Sequence, residues 1–248
     1  GGPARYFAEP AGERELAEVV ALCREQGMPS HILGNGSNLL VSDEGYDGVM
    51  IRLGDGLARL SKCGEFLYEA GAGLLLSRLA KEALTDSLTG LEFAAGIPGT
   101  LGGAVVMNAG AYGGEMKDVL KSVRVLDPDG EIRELSVSEL DLGYRRSVIP
   151  ARGCVVLSAR IGLAPGDAAQ IRARMEELAA KRREKQPLEY PSAGSTFKRP
   201  EGYFAGKLIE EAGLRGFAFG GAQVSEKHCG FVINRGDATA AQIRTLCR

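Results

Sequence analysis

The fold is decided by one glycine-rich stretch, Gly96-Ile97-Pro98-Gly99-Thr100-Leu101-Gly102-Gly103-Ala104, which continues after three apolar residues as Asn108-Ala109-Gly110-Ala111-Tyr112-Gly113-Gly114. We call residues 96–114 the long glycine segment. Glycine leaves the backbone bare, so a flat apolar ligand can lie directly against such a segment. The alternative interpretation is a helix packed closely on a sheet through its glycines.

A second, shorter cluster is Gly34-Asn35-Gly36-Ser37-Asn38, which we call the short glycine segment. It offers backbone N–H groups, a hydroxyl and two amides, the groups that bind a phosphate. It lacks the Lys and Ser/Thr pair of a P-loop, and no helical pattern follows it as in a Rossmann fingerprint. Taken alone, it is equally well interpreted as a tight turn. Two glycine segments in one chain indicate a large, extended, phosphorylated cofactor.

The composition is that of an ordinary globular protein of one large or two modest domains. The chain has 248 residues, 35 of them Gly, with 30 basic and 32 acidic side chains and a net charge of -2. This charge balance argues against a nucleic-acid partner. Five widely spaced Cys and two His favour neither a disulfide framework nor a metal site. With no long apolar run and no apolar leader, we expect a cytoplasmic protein without a membrane partner.

The periodicity of apolar residues predicts an α+β fold in which helices and strands are mixed rather than strictly alternating. The predicted helices are 13–26, one through Leu76, Leu79 and Ala83, 167–185 with Asp167 as N-cap, 207–212, and a final helix opened by Asp237. The predicted strands are 31–33, 39–41, 49–53, 66–70, 121–126, 131–135, 155–162 and 230–234, with a hairpin turn at 127–130.

Five motifs, in order over essentially the whole chain, resemble the UDP-N-acetylenolpyruvoylglucosamine reductase family. They are the two glycine segments, Tyr-Arg-Arg-Ser at 144–147, Ala-Gly-Ser at 193–195 with Phe-Lys at 197–198, and Gly-Ala-Gln-Val-Ser-Glu-Lys-His at 221–228. The sequence of residues 190–195, with no long insertion before it, is similar to that of the shorter, second subtype of the family. We expect both ends of the family's chain to be missing here, because no Glu in this sequence matches the family's C-terminal catalytic Glu and the family's Thr-rich lead into Gly1-Gly2 is absent.

The resemblance implies a fold, an activity and a domain division. The fold is the FAD-binding fold of the vanillyl-alcohol-oxidase-like (PCMH-type) flavoproteins, in two α/β subdomains at 1–54 and 55–187, followed by an α+β substrate-binding domain at 188–248 that would be C-terminally incomplete. The activity is that of an NADPH-dependent FAD oxidoreductase, UDP-N-acetylmuramate dehydrogenase. It reduces UDP-N-acetylglucosamine enolpyruvate for peptidoglycan synthesis, and so serves cell wall biogenesis, cell shape and cell division. Since neither glycine segment contains His, FAD is expected to be noncovalent.

The resemblance also assigns residues. The predicted cofactor residues are Gly34, Asn35, Gly36, Ser37, Asn38, Gly96, Ile97, Pro98, Gly99, Thr100, Gly103, Asn108, Ala109, Gly110, Ala111 and Tyr112. The predicted substrate residues are Tyr144, Lys185, Tyr190, Lys198, Arg199, Lys207 and His228. Arg145 would stabilise the aci-carboxylate that forms when hydride adds to the enolpyruvyl group, and Ser195 would then protonate the carbanion.

Alternatives stay open at this point. From the residues alone, Arg145 would be a solvated surface Arg, Ser195 a turn residue, Tyr190 a core residue and the Lys/Arg set a solvated basic surface. An FAD-dependent sugar or alcohol oxidase of the same fold, or a non-catalytic flavin or sugar-nucleotide binder, are the competing functions. As to oligomeric state, we expect a monomer or weak oligomer.

Overall fold

The computed structural model describes all 248 residues and contains two compact units. The large unit comprises Tyr6–Asn35 and Gly48–Ala179, and the small unit comprises Gly1–Arg5, Gly36–Asp47 and Ala180–Arg248. The mixture of helices with mostly antiparallel sheets confirms the predicted α+β class. This division by contact differs from the three predicted blocks, whose assignment to cofactor and substrate stays a prediction.

The helices and strands are numbered in chain order. The helices are α1 (Glu13–Glu25), α2 (Leu76–Thr85), α3 (Leu101–Val106), α4 (Ala168–Lys185), α5 (Ala205–Glu211) and α6 (Ala240–Leu246). The strands are β1 (Ala4–Ala8), β2 (Ser30–Leu33), β3 (Tyr46–Arg52), β4 (Leu60–Gly64), β5 (Leu67–Gly71), β6 (Leu88–Thr89), β7 (Gly110–Ala111), β8 (Gly114–Glu115), β9 (Leu120–Leu126), β10 (Ile132–Ser136), β11 (Val155–Gly162), β12 (Ala164–Pro165), β13 (Ala218–Phe219), β14 (Ala222–Val224) and β15 (Val232–Asn234).

The large unit is built on a five-stranded antiparallel sheet in the order β10-β9-β11-β5-β4. The apolar residues of α2 fall at helical spacing, and Leu76, Leu79 and Ala83 are almost completely buried, as predicted. They join the strand residues in one hydrophobic core, where burial of apolar surface is the main stabilising term. This core is the rigid base that carries both the start of the short glycine segment and the whole of the long one.

The β9–β10 hairpin turns at the predicted Pro-Asp-Gly sequence. The Gly130 N–H donates to the Asp127 carbonyl at 3.0 Å, and Gly130 has a φ of +87°. The Asp127 carboxylate accepts from the Glu131 and Asp129 N–H groups, each at 2.9 Å. These backbone hydrogen bonds, that from Glu131 first, lower the pKa of Asp127 because they stabilise the charged form.

The small unit contains the antiparallel sheet β13-β14-β15 and the helix α6. Two sequence predictions fail here. Residues 39–41 form no strand, and α6 is capped by Thr239, whose side chain accepts from the Gln242 N–H at 3.1 Å, rather than by Asp237. The physical reason is a long-range contact, because Asp43 accepts from the Ala240 N–H at 2.7 Å and so holds residues 36–47 in an irregular loop against α6.

Three further features limit the chemistry of the chain. No helix combines the length and apolar character needed to cross a membrane. All five Cys are free thiols, two of them buried. No group of three His, Cys, Asp or Glu side chains is arranged to hold a metal ion.

Candidate functional site

The short glycine segment begins against the long one. The Asn35 Nδ2 donates to the Pro98 carbonyl at 2.9 Å. A Cβ placed on Gly34 would lie only 2.4 Å from Thr100 Oγ1, so a side chain at Gly34 cannot be accommodated without a shift. The structure therefore brings Gly34 and Asn35 together with Pro98 and Thr100, all within the large unit.

The long glycine segment continues into α3, where two adjacent glycines have different surroundings. The Gly102 N–H donates to the Ala72 carbonyl at 2.8 Å, and a Cβ on Gly102 would lie 2.9 Å from the Ala72 Cβ. Gly103 is exposed, and a Cβ there would meet only Thr100 Oγ1, at 3.9 Å. Close helix packing therefore explains Gly102, whereas Gly103 presents bare backbone to open space and fits a ligand surface.

After α3, the long glycine segment folds into the hairpin β7–β8. Tyr112 and Gly113 occupy its turn with φ angles of +54° and +93°. Positive φ at both turn residues is typical of a type I′ hairpin, where Asn-Gly is the usual pair. A tyrosine in this conformation is strained by about 1–3 kcal/mol. The Tyr112 side chain is 41% exposed, so it is available at the surface of the segment.

A second tight turn carries Arg145. Gly143 and Arg146 exchange backbone hydrogen bonds of 3.0 and 3.1 Å around Tyr144 and Arg145. Arg145 has a φ of +54°, a value that turns normally assign to Gly or Asn. Its Nη2 donates to the Gly110 carbonyl at 2.8 Å, and its guanidinium lies 5.1 Å from the centre of the Tyr144 ring. The guanidinium is thus fixed beside the long glycine segment.

Asn108 and Ser147 connect this turn to the same segment. The Asn108 side chain is completely buried and donates to the Gly143 carbonyl at 3.2 Å and to Glu115 Oε2 at 2.8 Å, while its Oδ1 accepts from the Lys117 N–H at 2.9 Å. The Ser147 hydroxyl donates to the Val106 carbonyl at 2.7 Å. The sequence assigned no role to Ser147, although it ends the Tyr-Arg-Arg-Ser motif.

In the small unit, Ser195 lies on a segment that runs beside β15. Ser195 forms a bridge with Phe231, the Thr196 N–H donates to the Gly230 carbonyl at 2.8 Å, and the Asn234 N–H donates to the Pro191 carbonyl at 2.9 Å. Ser195 itself is exposed. The backbone of this segment is therefore fixed while the Ser195 hydroxyl remains accessible.

His228 is brought next to Ser195 by a glycine that the sequence did not single out. A Cβ on Gly230 would lie 2.9 Å from His228 Cε1 and 3.3 Å from Ser195 Oγ, so only glycine leaves room between the two side chains. The His228 Nδ1 accepts from the Gly230 N–H at 3.0 Å, and its ring packs edge-on against Phe231. In the neutral ring the proton therefore resides on Nε2, which can act as a donor.

The other predicted substrate residues of the small unit are spread over several segments of the chain. Lys185 and Lys198 are exposed, and Lys207 pairs with Glu211 at 3.6 Å along α5. Arg199 lies 4.6 Å from the centre of the Phe204 ring. The Tyr190 ring has the Arg235 guanidinium 4.9 Å from its centre, at a cavity of about 210 Å³. A ligand that stacks on this face of Tyr190 would have to displace Arg235.

Two family models match this chain. Residues 4–136 match the family model described as "FAD binding domain", and residues 186–248 match that described as "UDP-N-acetylenolpyruvoylglucosamine reductase, C-terminal domain". The short and long glycine segments and β7–β8 lie within the first match, and Ser195, His228 and Gly230 lie within the second.

Curated relatives and a solved structure carry the same name. The chain is 54% identical over 259 residues to the UDP-N-acetylenolpyruvoylglucosamine reductase of Agathobacter rectalis, covering 100% of this chain and 82% of the relative. It is 52% identical over 246 residues to that of Clostridioides difficile, covering 99% and 81%. The crystal structure of the UDP-N-acetylenolpyruvylglucosamine reductase from Thermus caldophilus is similar with a TM-score of 0.85 and 40% identity, over 98% of this chain and 85% of that one. This chain belongs to the UDP-N-acetylenolpyruvoylglucosamine reductase family.

Proposed function

We propose that this chain reduces UDP-N-acetylglucosamine enolpyruvate to UDP-N-acetylmuramate, with FAD as its cofactor and NADPH as the hydride donor, and thereby supplies peptidoglycan synthesis. Family membership over the whole chain supports the overall reaction. The observation that carries the proposal at the level of residues is the strained turn that fixes the Arg145 guanidinium beside the long glycine segment.

The residues present fit a flavin dinucleotide. A Cβ on Gly34 would lie 2.4 Å from Thr100 Oγ1, and the exposed Gly103 leaves its backbone bare, so a ligand could approach the backbone closely at both positions. The N–H groups and side chains of residues 34–38 would bind the pyrophosphate, and the long glycine segment would hold the flavin and ribityl chain. FAD, when bound, passes a hydride from NADPH to the enolpyruvyl group. Since neither segment contains His, we assign FAD as noncovalent.

Arg145 stabilises the negative charge that develops on the substrate carboxylate. One of its five N–H donors is bonded to the Gly110 carbonyl, so the remaining edge of the planar guanidinium can bind a carboxylate. When hydride adds to the neighbouring double bond, charge moves onto that carboxylate. A cation held in place beforehand stabilises this charge without reorganisation during the reaction.

Ser195 supplies the proton to the carbon that becomes basic. A Ser hydroxyl is a weak acid in water, yet it is adequate toward a carbanion when the hydroxyl is fixed in position. The pairing of residues 191–196 with β15 supports this role, because it holds the Ser195 backbone while the side chain stays exposed. His228, whose Nε2 can donate a hydrogen bond, is assigned to the substrate. Lys185, Lys198, Arg199 and Lys207 supply cations for the diphosphate.

NADPH and the enolpyruvyl substrate are assigned to one pocket that they occupy in turn, which gives ping-pong kinetics. We place the protein in the cytoplasm, where its five free thiols stay reduced, as a monomer or weak oligomer. Its near-neutral net charge supports the assignment that neither nucleic acid nor membrane is a partner.

The two half-reactions test the proposal. Under anaerobic conditions, NADPH should bleach the flavin absorbance of the purified holoprotein, and UDP-N-acetylglucosamine enolpyruvate should restore it. Arg145→Ala should slow the second step and weaken substrate binding. Arg146→Ala is the matched control, because Arg146 is 64% exposed and pairs with Asp141 instead. Failure of NADPH to bleach the parent chain would point to binding only, bleaching without recovery would contradict the enolpyruvyl compound as substrate, and recovery by oxygen alone with turnover of a simple polyol would point to an oxidase.

A further inference from the structure

We infer that Asn108 is a positioning residue for Arg145, acting through the Gly143 carbonyl, and not a side-chain ligand of the cofactor. The inference rests on the proposed function, in which Arg145 binds the substrate carboxylate. It concerns how the large unit holds a strained turn at the required place.

Both polar atoms of the Asn108 side chain, Nδ2 and Oδ1, form hydrogen bonds with other groups of the protein. Its three hydrogen bonds reach the Glu115 carboxylate, the Gly143 carbonyl and the Lys117 N–H, and its exposed fraction is 0%. A buried amide in this state has no accessible polar atom to offer to a ligand. The burial of Asn108 therefore argues against its family-derived assignment as a side-chain contact of the cofactor.

The connection to Arg145 is short and continuous. The Gly143 carbonyl that accepts from Asn108 also accepts the Arg146 N–H at 3.1 Å, the bond that closes the turn around Arg145. The other side of Asn108 is anchored by Glu115 on β8, and β8 pairs with β7, whose Gly110 carbonyl receives the Arg145 guanidinium. Asn108 thus fixes the backbone of the turn and the acceptor of its side chain relative to each other.

The strain in the turn explains why such an anchor is required. Arg145 has a φ of +54°, which costs about 1–3 kcal/mol and persists only where the surroundings enforce it. Asn108 also has positive φ, +38°, a conformation that Asn tolerates better than most residues. Glycine tolerates it as well, so Asn108→Gly removes the side chain without adding backbone strain.

The test is a double-mutant cycle on the holoprotein. Asn108→Gly should slow reoxidation by UDP-N-acetylglucosamine enolpyruvate by about tenfold or more and weaken binding of that compound to the oxidised holoprotein, measured by calorimetry. Flavin reduction by NADPH should stay within about twofold of the parent rate. In the Arg145→Ala background, Asn108→Gly should change neither reoxidation nor substrate affinity further.

Two other variants keep the result interpretable. Ser147→Ala removes a milder anchor of the same turn, the bond to the Val106 carbonyl, and should give the same pattern at smaller amplitude if Asn108→Gly does not fold. Asp127→Ala removes a buried polar anchor of the β9–β10 turn and should lower the melting temperature without changing reoxidation.

Each outcome decides between distinct ideas. If Asn108→Gly and Ser147→Ala slow reoxidation equally with and without Arg145, they act independently of Arg145 and the inference is wrong. If they lower FAD affinity instead, Asn108 belongs to cofactor binding. If the parent chain itself shows no reoxidation by the enolpyruvyl compound, the proposed function fails, and the calorimetric cycle with that compound still decides whether Asn108 acts on substrate affinity through Arg145.

Discussion

Replacing Gly34 by Ala should weaken FAD binding through a single steric contact. A Cβ at this position would lie 2.4 Å from Thr100 Oγ1, and the next nearest atom, the Thr100 Cβ, would lie at an ordinary 3.6 Å. Gly34 has no positive φ, so Ala is compatible with its backbone. The entire perturbation is therefore the overlap between the new methyl group and one hydroxyl.

The magnitude follows from overpacking. Inserting a methyl group into a closely packed contact typically costs about 1–3 kcal/mol. Without cofactor, a small local shift between residue 34 and Thr100 can relieve the overlap, since Thr100 makes no side-chain cap hydrogen bond that would hold its hydroxyl. FAD binding would have to reverse this shift. The full cost then appears in the dissociation constant as an increase of about 5- to 150-fold.

The assay is calorimetric titration of the apoprotein with FAD. Thr100→Ala removes the overlapping atom, so Gly34→Ala should weaken FAD binding little when it is made in the Thr100→Ala protein. Thr100→Val keeps a methyl group in the same place, so in that background Gly34→Ala should weaken binding as it does in the parent. Gly12→Ala is the matched control, because no atom lies within 4 Å of its Cβ position and its φ is 179°. The reasoning is refuted if Gly34→Ala binds FAD like the parent, or if Thr100→Val rescues as well as Thr100→Ala.

Three further predictions follow from the same structure. Ser195→Ala should leave flavin reduction by NADPH near normal and slow reoxidation by the enolpyruvyl substrate about a hundredfold or more, and stopped-flow traces showing both steps equally slowed would contradict its role as proton donor. Acid precipitation of the holoprotein should release all yellow colour into the supernatant, and colour kept in the pellet would contradict noncovalent FAD. The Ala240 and Ala241 N–H groups lower the pKa of Asp43 below its ordinary 3.8, so its contribution to stability is present above that pH and is lost as the pH falls through the lowered value. The melting temperatures of the parent and of Asp43→Asn should therefore differ at neutral pH and converge in acid, and a constant difference would show that the negative charge of Asp43 is not the cause.

Helices and strands could be predicted from the sequence where the local pattern of apolar residues matches the residues that the core buries. The predicted strand at Val155–Gly162 is confirmed with the same bounds, and α4 begins after the predicted N-cap Asp167, whose Oδ1 accepts from the Gln170 N–H at 2.9 Å. Residues 39–41 show where this fails. Leu39 and Leu40 read as an apolar strand, but they are 38% and 48% exposed in a loop fixed by distant partners. Local periodicity carries no information about such contacts.

The candidate site likewise contains some residues that the sequence indicated and others that only the structure revealed. Motifs that depend on residue type, such as the two glycine segments, could be recognised directly, and the family resemblance, which the comparisons confirm, supplied the roles of Arg145 and Ser195, which stay predictions. Gly230 was missed because its importance lies in a side chain that it lacks, between His228 and Ser195. The anchoring of Arg145 by Asn108 was missed because the two residues are far apart in sequence.

The strained backbone of the site is the feature that residue propensities would not predict, because non-glycine residues rarely adopt positive φ. Five non-glycine residues have positive φ, and three of them, Asn108, Tyr112 and Arg145, belong to the glycine segment or to the turn bonded to it. Each costs folding free energy, about 1–3 kcal/mol, that a relaxed backbone would recover. The hydrogen bonds of Asn108, Gly143 and Gly110 prevent that relaxation. Because strain of this kind survives only where surrounding contacts enforce it, its concentration around the Arg145 guanidinium supports the proposal that the large unit holds this charge in place for the substrate carboxylate.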